Sequence, residues 1–93
     1  MNKCLKIMLL MQKIPKDFLN NGVKESAQSF SIEGTVQIMD ATTIKIIACG
    51  EKEDIDSFLD ALHREVAQLS LDDMQIEPFL KEKDYRGVFR IIE

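Results

Sequence analysis

Few side chains in this sequence have the type and spacing needed for chemistry, and the best candidates follow the first apolar run. Residues 12–20 read QKIPKDFLN and place Lys13 and Lys16 around the start of a predicted helix. Two lysines beside a helix N-terminus, where backbone N–H groups are also unpaired, could attract a small anion. The alternative is that both lysines are solvated loop residues without a ligand.

The other reactive residue types are isolated from one another. His63 is the only histidine and has no second histidine or cysteine at ligand spacing. The five methionines are scattered and are typical of core filling. Cys4 and Cys49 show no Cys-x-x-Cys spacing and, without a recognisable secretion signal, are expected to be reduced thiols. A bridge between them would require the first and third strands to be neighbours in matching register. We therefore predict no metal site, no cofactor and no catalytic residue in this set.

Length and charge restrict the class of protein. Residues 1–93 are long enough for one hydrophobic core and too short for two, so a single domain is expected. The net charge is −4 and the twelve lysines and arginines are scattered, which argues against a nucleic-acid partner. No apolar run approaches the roughly 20 residues needed to cross a bilayer. We expect a cytoplasmic protein without a membrane partner.

Apolar periodicity predicts the element order β, α, β, β, α, β, with a short final β. Residues 4–11 are almost uniformly apolar, as expected for a central strand buried on both faces. Apolar side chains spaced three or four apart predict helices over residues 16–30 and 52–69. Alternation over residues 32–38, followed by a β-rich run over residues 43–48, predicts a hairpin.

The last third of the chain completes the predicted sheet. Pro78 has no N–H to donate, so the fourth strand should lie at a sheet edge. Residues 81–84 carry both charge signs and predict a solvated loop, and residues 88–92 predict the final strand. Two helices on one face of a four- or five-stranded antiparallel sheet form a ferredoxin-like α+β sandwich. The side chains predicted to line its core are Val23, Ala27, Ile44, Ile46, Phe58, Leu62, Phe89 and Ile91.

The sequence from residue 32 onward resembles one known family. Residues 32–50 read IEGTVQIMDATTIKIIACG, which resembles the acylphosphatase pattern of Gly-aromatic-Val-Arg-Asn, a turn, a Val-Glu-Ile-Val-like strand and Gly. The match continues through SFLDALHREVA and MQIEPF and ends on Phe89-x-Ile91, where that family ends in Phe-x-Ile. The resemblance covers residues 4–92 and implies an acylphosphatase-like βαββαβ fold.

The resemblance also implies where an active site would lie. In that family the first strand runs into a loop, Gly-x-Val-Gln-Gly-Val-x-Phe-Arg, whose amides and final arginine cradle a phosphate, and an asparagine near the end of the second strand holds the attacking water. Matched without gaps, the loop falls on residues 12–20, with Lys16 at the loop glycine, Asn20 at the arginine and Ile38 at the asparagine. Residues 12–30 contain no arginine, so no shift of register restores one.

These departures predict a hydrolase homologue that has lost catalysis, a pseudoenzyme that serves as a binding or structural module for an unknown partner. Lys13, Lys16 and Asn20 would then be the remnant of an anion site for phosphate or another small anion. Two alternatives stay open. One is an acylphosphatase, hydrolysing carboxyl-phosphate anhydrides, in which the same three residues replace the usual grip. The other is a domain that senses a small ligand.

Overall fold

Five strands form one sheet in the computed structural model, which describes residues 2–69, 71–80 and 85–92. The predicted solvated loop at residues 81–84 lies outside the described residues. The strands are β1 (Asn2–Met11), β2 (Glu33–Asp40), β3 (Thr43–Glu51), β4 (Leu71–Pro78) and β5 (Phe89–Ile92). Their spatial order is β4-β1-β3-β2-β5, so β1 lies inside the sheet as predicted. The prediction that β1 is buried on both faces is wrong, because Lys6 and Met8 are only half-buried and Leu10 is exposed.

The sheet is mixed, which corrects the prediction of a wholly antiparallel one. β1 is antiparallel to both β3 and β4, and β2 is antiparallel to β3. β5, however, pairs with β2 in parallel. The reason is topological: β1 and β2 run the same way, and the chain leaves β4 at one edge and returns along the opposite edge beside β2. The prediction that Pro78 marks an edge strand is confirmed, since β4 pairs only with β1 and ends at this proline.

The helical segments agree with the predicted positions but not with the predicted winding. The second helix, α2 (Lys52–Val66), is regular and has Glu53 and Asp54 in its first turn, where acidic residues suit the helix dipole. The first begins as a π-helix over Phe18–Lys24 and continues as the short α-helix α1 (Glu25–Ser29).

The wide first segment buries two pairs of neighbouring residues. Phe18 and Leu19 are both buried, as are Gly22 and Val23 four residues later. This spacing keeps both pairs on the core face. A Cβ at Gly22 would lie 2.9 Å from the Phe18 ring, so a larger residue here would force the ring to shift. The Glu25 N–H donates to the Asn20 carbonyl, five residues earlier.

The core lies between the sheet and the helical segments. Of the predicted core residues, all but Ile91 are buried, and Ile91 is half-buried against the cluster. The interior strands contribute the largest share of the other buried side chains, which include Leu5, Ile7, Leu9, Met11, Val36 and Ala48.

Gly34 fixes the pairing of the β2–β3 hairpin. Its φ is +142°, and a Cβ added there would lie 1.9 Å from the carbonyl oxygen of Ile47 on the neighbouring strand. Only glycine accepts this backbone conformation without steric conflict. The Gly34 N–H donates to the Val88 carbonyl at 3.0 Å, which ties the start of β2 to the segment entering β5.

The two cysteines form a disulfide, which corrects the expectation of reduced thiols. Cys4 on β1 is the direct register partner of Cys49 on β3. Their Cα atoms are 4.1 Å apart, and the two sulfurs are bonded. A bond between these cysteines requires that the first and third strands be neighbours in matching register. The structure shows that they are.

Candidate functional site

A cavity of about 560 Å³ brings together the three predicted anion-site residues and Ile38. It lies at one end of the sheet, between the loop that follows β1, the start of the first helix, the β2–β3 turn and the end of β5. Its lining residues are Lys13, Ile14, Pro15, Lys16, Leu19, Asn20, Ile38, Ala41, Ile91 and Ile92.

The polar residues of this lining are two lysines and one asparagine. Lys13, Lys16 and Asn20 are exposed side chains, and no carboxylate is found among the lining residues that the structure describes. Within the described part of the chain, neither lysine takes part in an ion pair. The cavity therefore offers positive charge and amide donors to an anion.

The apolar part of the lining is larger and is incompletely covered. Ile38 is 48% exposed and Ile92 is 37% exposed, high fractions for isoleucine. Ile14 and Ile91 also line the cavity and are half-buried, and Leu19 is buried. A branched alkyl side chain has no hydrogen-bonding atom, so Ile38 cannot position a water molecule.

The backbone of the loop is not arranged as a cradle of amides. Pro15 has no N–H, and the N–H of Phe18 donates to the Pro15 carbonyl at 3.1 Å. Concave anion nests alternate right- and left-handed residues. Among the described residues, positive φ values occur at Ser31, Gly34, Arg86 and Gly87, none of which lies in residues 12–20. The loop therefore offers fewer converging donors than a phosphate nest needs.

The turn at the rim of the cavity is held by Asp40. Its carboxylate accepts hydrogen bonds from the Thr42 N–H at 2.9 Å and from the Thr42 hydroxyl at 3.1 Å. These bonds, the backbone one first, hold the pKa of Asp40 below its ordinary value of 3.8. The Met11 N–H also donates to the Thr42 carbonyl at 2.8 Å, which joins the turn to the end of β1. Ala41 is thereby fixed in the cavity wall.

Sequence reasoning missed much of the apolar wall. Ile14, Ala41 and Ile92 carried no chemical signal in the sequence, and their grouping depends on where the loop, the turn and the parallel strand β5 meet. Ile38 was singled out in the sequence only through the family resemblance, as the residue at the asparagine position. Ile92 is the parallel register partner of Gln37, the neighbour of Ile38, and this pairing could not be read from the sequence.

The remaining candidate residues lie elsewhere. His63 is exposed on α2, and its Nδ1 lies 2.8 Å from the Leu59 carbonyl oxygen, to which it donates in that tautomer. Arg86 and Arg90 line a neighbouring cavity of about 410 Å³ that shares only Ile92 with the first. Across residues 2–69, 71–80 and 85–92, no three histidine, cysteine or carboxylate side chains are grouped to hold a metal ion. None of the described helices is long and apolar enough to cross a membrane.

Comparison with known proteins decides the family. The family model for acylphosphatase matches residues 18–91, most of the chain. The chain belongs to the acylphosphatase family. The resemblance inferred from residues 32–50 and Phe89-x-Ile91 is thus confirmed. No curated protein matches the sequence.

Solved structures show the acylphosphatase fold over nearly the whole chain. An acylphosphatase from Coxiella burnetii is 21% identical, with a TM-score of 0.80, and the alignment covers 98% of this chain and 93% of that one. An acylphosphatase from Bacillus subtilis is 16% identical, with a TM-score of 0.77 and coverage of 97% and 99%. Full-length HypF in its phosphate- and nucleotide-bound form is 21% identical, with a TM-score of 0.79, over 100% of this chain and 12% of that one. At these identities the structural likeness establishes the fold alone.

Proposed function

We propose that this acylphosphatase-family domain is not a hydrolase and acts as a binding or structural module. One observation carries the proposal: Asn20 and Ile38, which the ungapped sequence match aligns with the family's arginine and asparagine, line the same cavity. The agreement between the ungapped sequence match and the cavity lining supports the proposal that both catalytic residue types are replaced at one site.

The change at Asn20 removes the strongest interaction with phosphate. A guanidinium is planar, always charged and grips two phosphate oxygens at once, whereas an asparagine amide is neutral and shorter. Lys13 and Lys16 bring charge to the cavity, but a flexible ammonium is a point charge without the arginine fork. Charge that develops on a phosphoryl group would therefore be less well stabilised.

The change at Ile38 removes the means of positioning water. Loss of one preorganised polar group typically costs about 10² to 10³ in turnover. With both groups replaced, and with Pro15 and the engaged Phe18 amide reducing the donors of the loop, most of the rate enhancement should be gone. Lys13, Lys16 and Asn20 then form the remnant of an anion site.

The decisive experiment is hydrolysis of acetyl phosphate by the purified domain. We expect a rate within a small multiple of the spontaneous one. Restoring chemistry should need Asn20→Arg and Ile38→Asn together, with Lys16→Gly so that the loop can rearrange, because residues that act as a unit are strongly non-additive. A matched control is Lys3→Gly, which changes an exposed lysine that does not line the cavity.

An acylphosphatase with a substitute grip is the second candidate, favoured by the grouping of Lys13, Lys16 and Asn20 around one cavity. It predicts substantial turnover by the unmodified domain that disappears in Lys13→Gln or Lys16→Gln. That result would replace our proposal. A ligand-sensing role remains the third candidate, and ligand-specific thermal stabilisation would support it.

Net charge and the disulfide bear on the partners and the cellular location of the protein. The net charge of −4 supports the prediction that nucleic acid is not a partner. A cytoplasmic location stays a prediction, and the Cys4–Cys49 bond argues against it, since disulfides persist mainly in oxidising compartments.

A further inference from the structure

We infer that the cavity binds a small organic carboxylate with an apolar tail, with the carboxylate at Lys13 and Lys16 and the tail against Ile38 and Ile92. The inference deepens the proposed function, because it rests on the site being a binding site without catalysis. In a remnant phosphate site the polar residues would provide most of the affinity, whereas here the apolar wall would provide it.

The apolar wall defines the tail of the ligand. Among the described lining residues, seven are apolar and three, Lys13, Lys16 and Asn20, are not. The volume of about 560 Å³ is within the range of small-molecule sites. Because Ile38 and Ile92 are 48% and 37% exposed, an alkyl chain lying on them would remove apolar surface from water on both sides of the contact.

The charged rim defines the head of the ligand. Lys13 and Lys16 both line the cavity and are exposed to solvent, and none of the described lining residues is acidic. Asp40, next to Ala41 in the cavity wall, already accepts two hydrogen bonds from Thr42. A single negative charge is therefore attracted and a positive one is repelled.

The loop favours a carboxylate over phosphate. A phosphate dianion presents three charged oxygens, each of which loses free energy if it is desolvated without a donor. Pro15 offers no N–H, the Phe18 N–H is engaged, and no residue of 12–20 has the positive φ of a nest. A carboxylate has two oxygens and one charge, so two flexible lysines satisfy it while the alkyl wall accepts the rest of the molecule.

The test measures binding of octanoate to the full chain by NMR titration and calorimetry, with acetate, 1-octanol, octylammonium and inorganic phosphate as probes. Octanoate should bind most tightly, with chemical-shift changes at residues of the cavity. Acetate lacks the tail, 1-octanol lacks the charge and octylammonium has the wrong charge, so each should bind at least about tenfold more weakly.

Variants separate the head from the tail. Lys13→Gln combined with Lys16→Gln should weaken octanoate about tenfold and leave 1-octanol unchanged, and Ile38→Asn should weaken both by about three- to tenfold. The matched controls are Lys3→Gln, an exposed lysine outside the cavity, and Ile76→Asn, an isoleucine 41% exposed on β4. Both controls should bind octanoate as the parent does.

Three results would overturn the inference. The first is that phosphate binds more tightly than octanoate. The second is that octanoate binds no more tightly than acetate. The third is that the control variants lose as much affinity for octanoate as the cavity variants do. The hydrolysis assay is read separately: turnover of acetyl phosphate would refute the proposed loss of catalysis, whereas the octanoate titration decides what the cavity holds.

Discussion

Reduction of the Cys4–Cys49 disulfide should destabilise the domain strongly without unfolding it. The bond joins positions 45 residues apart, on strands β1 and β3 at the interior of the sheet. In the chain-entropy account, closing a loop of this length restricts the unfolded chain and contributes about 4 kcal/mol at room temperature. Domains of this size are stable by about 5 to 15 kcal/mol, so a folded but weakened state should remain.

The fold should survive because the strand pairing does not depend on the bond. β1 and β3 are paired from Asn2↔Glu51 to Leu10↔Thr43, and a buried free cysteine packs as a small apolar side chain. Urea denaturation with and without a reductant measures the difference, and the unfolding temperature should fall by roughly 15 to 30 °C.

A double variant, Cys4→Ala with Cys49→Ala, provides the control. Its stability should resemble that of the reduced parent and should not respond to the reductant. If the parent loses less than about 1 kcal/mol on complete reduction, the loop-closure reasoning is wrong for this domain.

Three further predictions concern the fold. Leu62→Ala should cost about 2 to 5 kcal/mol in urea denaturation, because the side chain is fully buried; a smaller loss would show that the core collapses around the gap. Gly34→Ala should cost at least about 3 kcal/mol of stability. Gly87→Ala should cost only about 1 to 2 kcal/mol, because φ is +69° there but a Cβ would meet nothing within 4 Å. Equal losses would contradict the clash between Gly34→Ala and Ile47. Carboxyl NMR should place the Asp40 pKa below 3.8. Because the pKa of Asp40 is depressed in the folded state, its stabilisation of the turn is present above pH 3.8 and is lost as the pH falls through the folded-state pKa. Thr42→Ala removes the hydroxyl hydrogen bond and should raise the pKa of Asp40.

Spacing within an element was enough to predict which side chains are inside. The core faces of α2 and β3 follow directly from Phe58 and Leu62 and from Ile44 and Ile46, because each periodicity admits one inward face. The spacing of four between Leu19 and Val23 fits an α-helix and a π-helix equally, so the wide winding of Phe18–Lys24 could not be predicted.

Features that depend on which strands are neighbours were beyond the sequence. Alternation in the last strand indicates an inward Phe89 but not whether its neighbour runs parallel, so the mixed sheet was missed. The Cys4–Cys49 bond depends in the same way on long-range register. The candidate site was predicted in part: the loop residues Lys13 and Lys16 were found by their charge, while the apolar wall that gives the cavity its character was not.

The shortness of β5 links occupancy of the cavity to local opening of the sheet. β5 has four residues and lies at an edge of the described sheet, where its partner is β2, so it has few bonds to prevent transient detachment. Its inner side places Phe89 in the core, and its far end supplies Ile91 and Ile92 to the cavity wall. A ligand that needs this wall binds the domain only while β5 is paired with the sheet. At a hundredfold excess over the dissociation constant it would raise the free energy of opening by about 2.7 kcal/mol and slow amide hydrogen exchange in β5 about a hundredfold. The concentration of such a ligand would then set how often the domain exposes Phe89 to solvent.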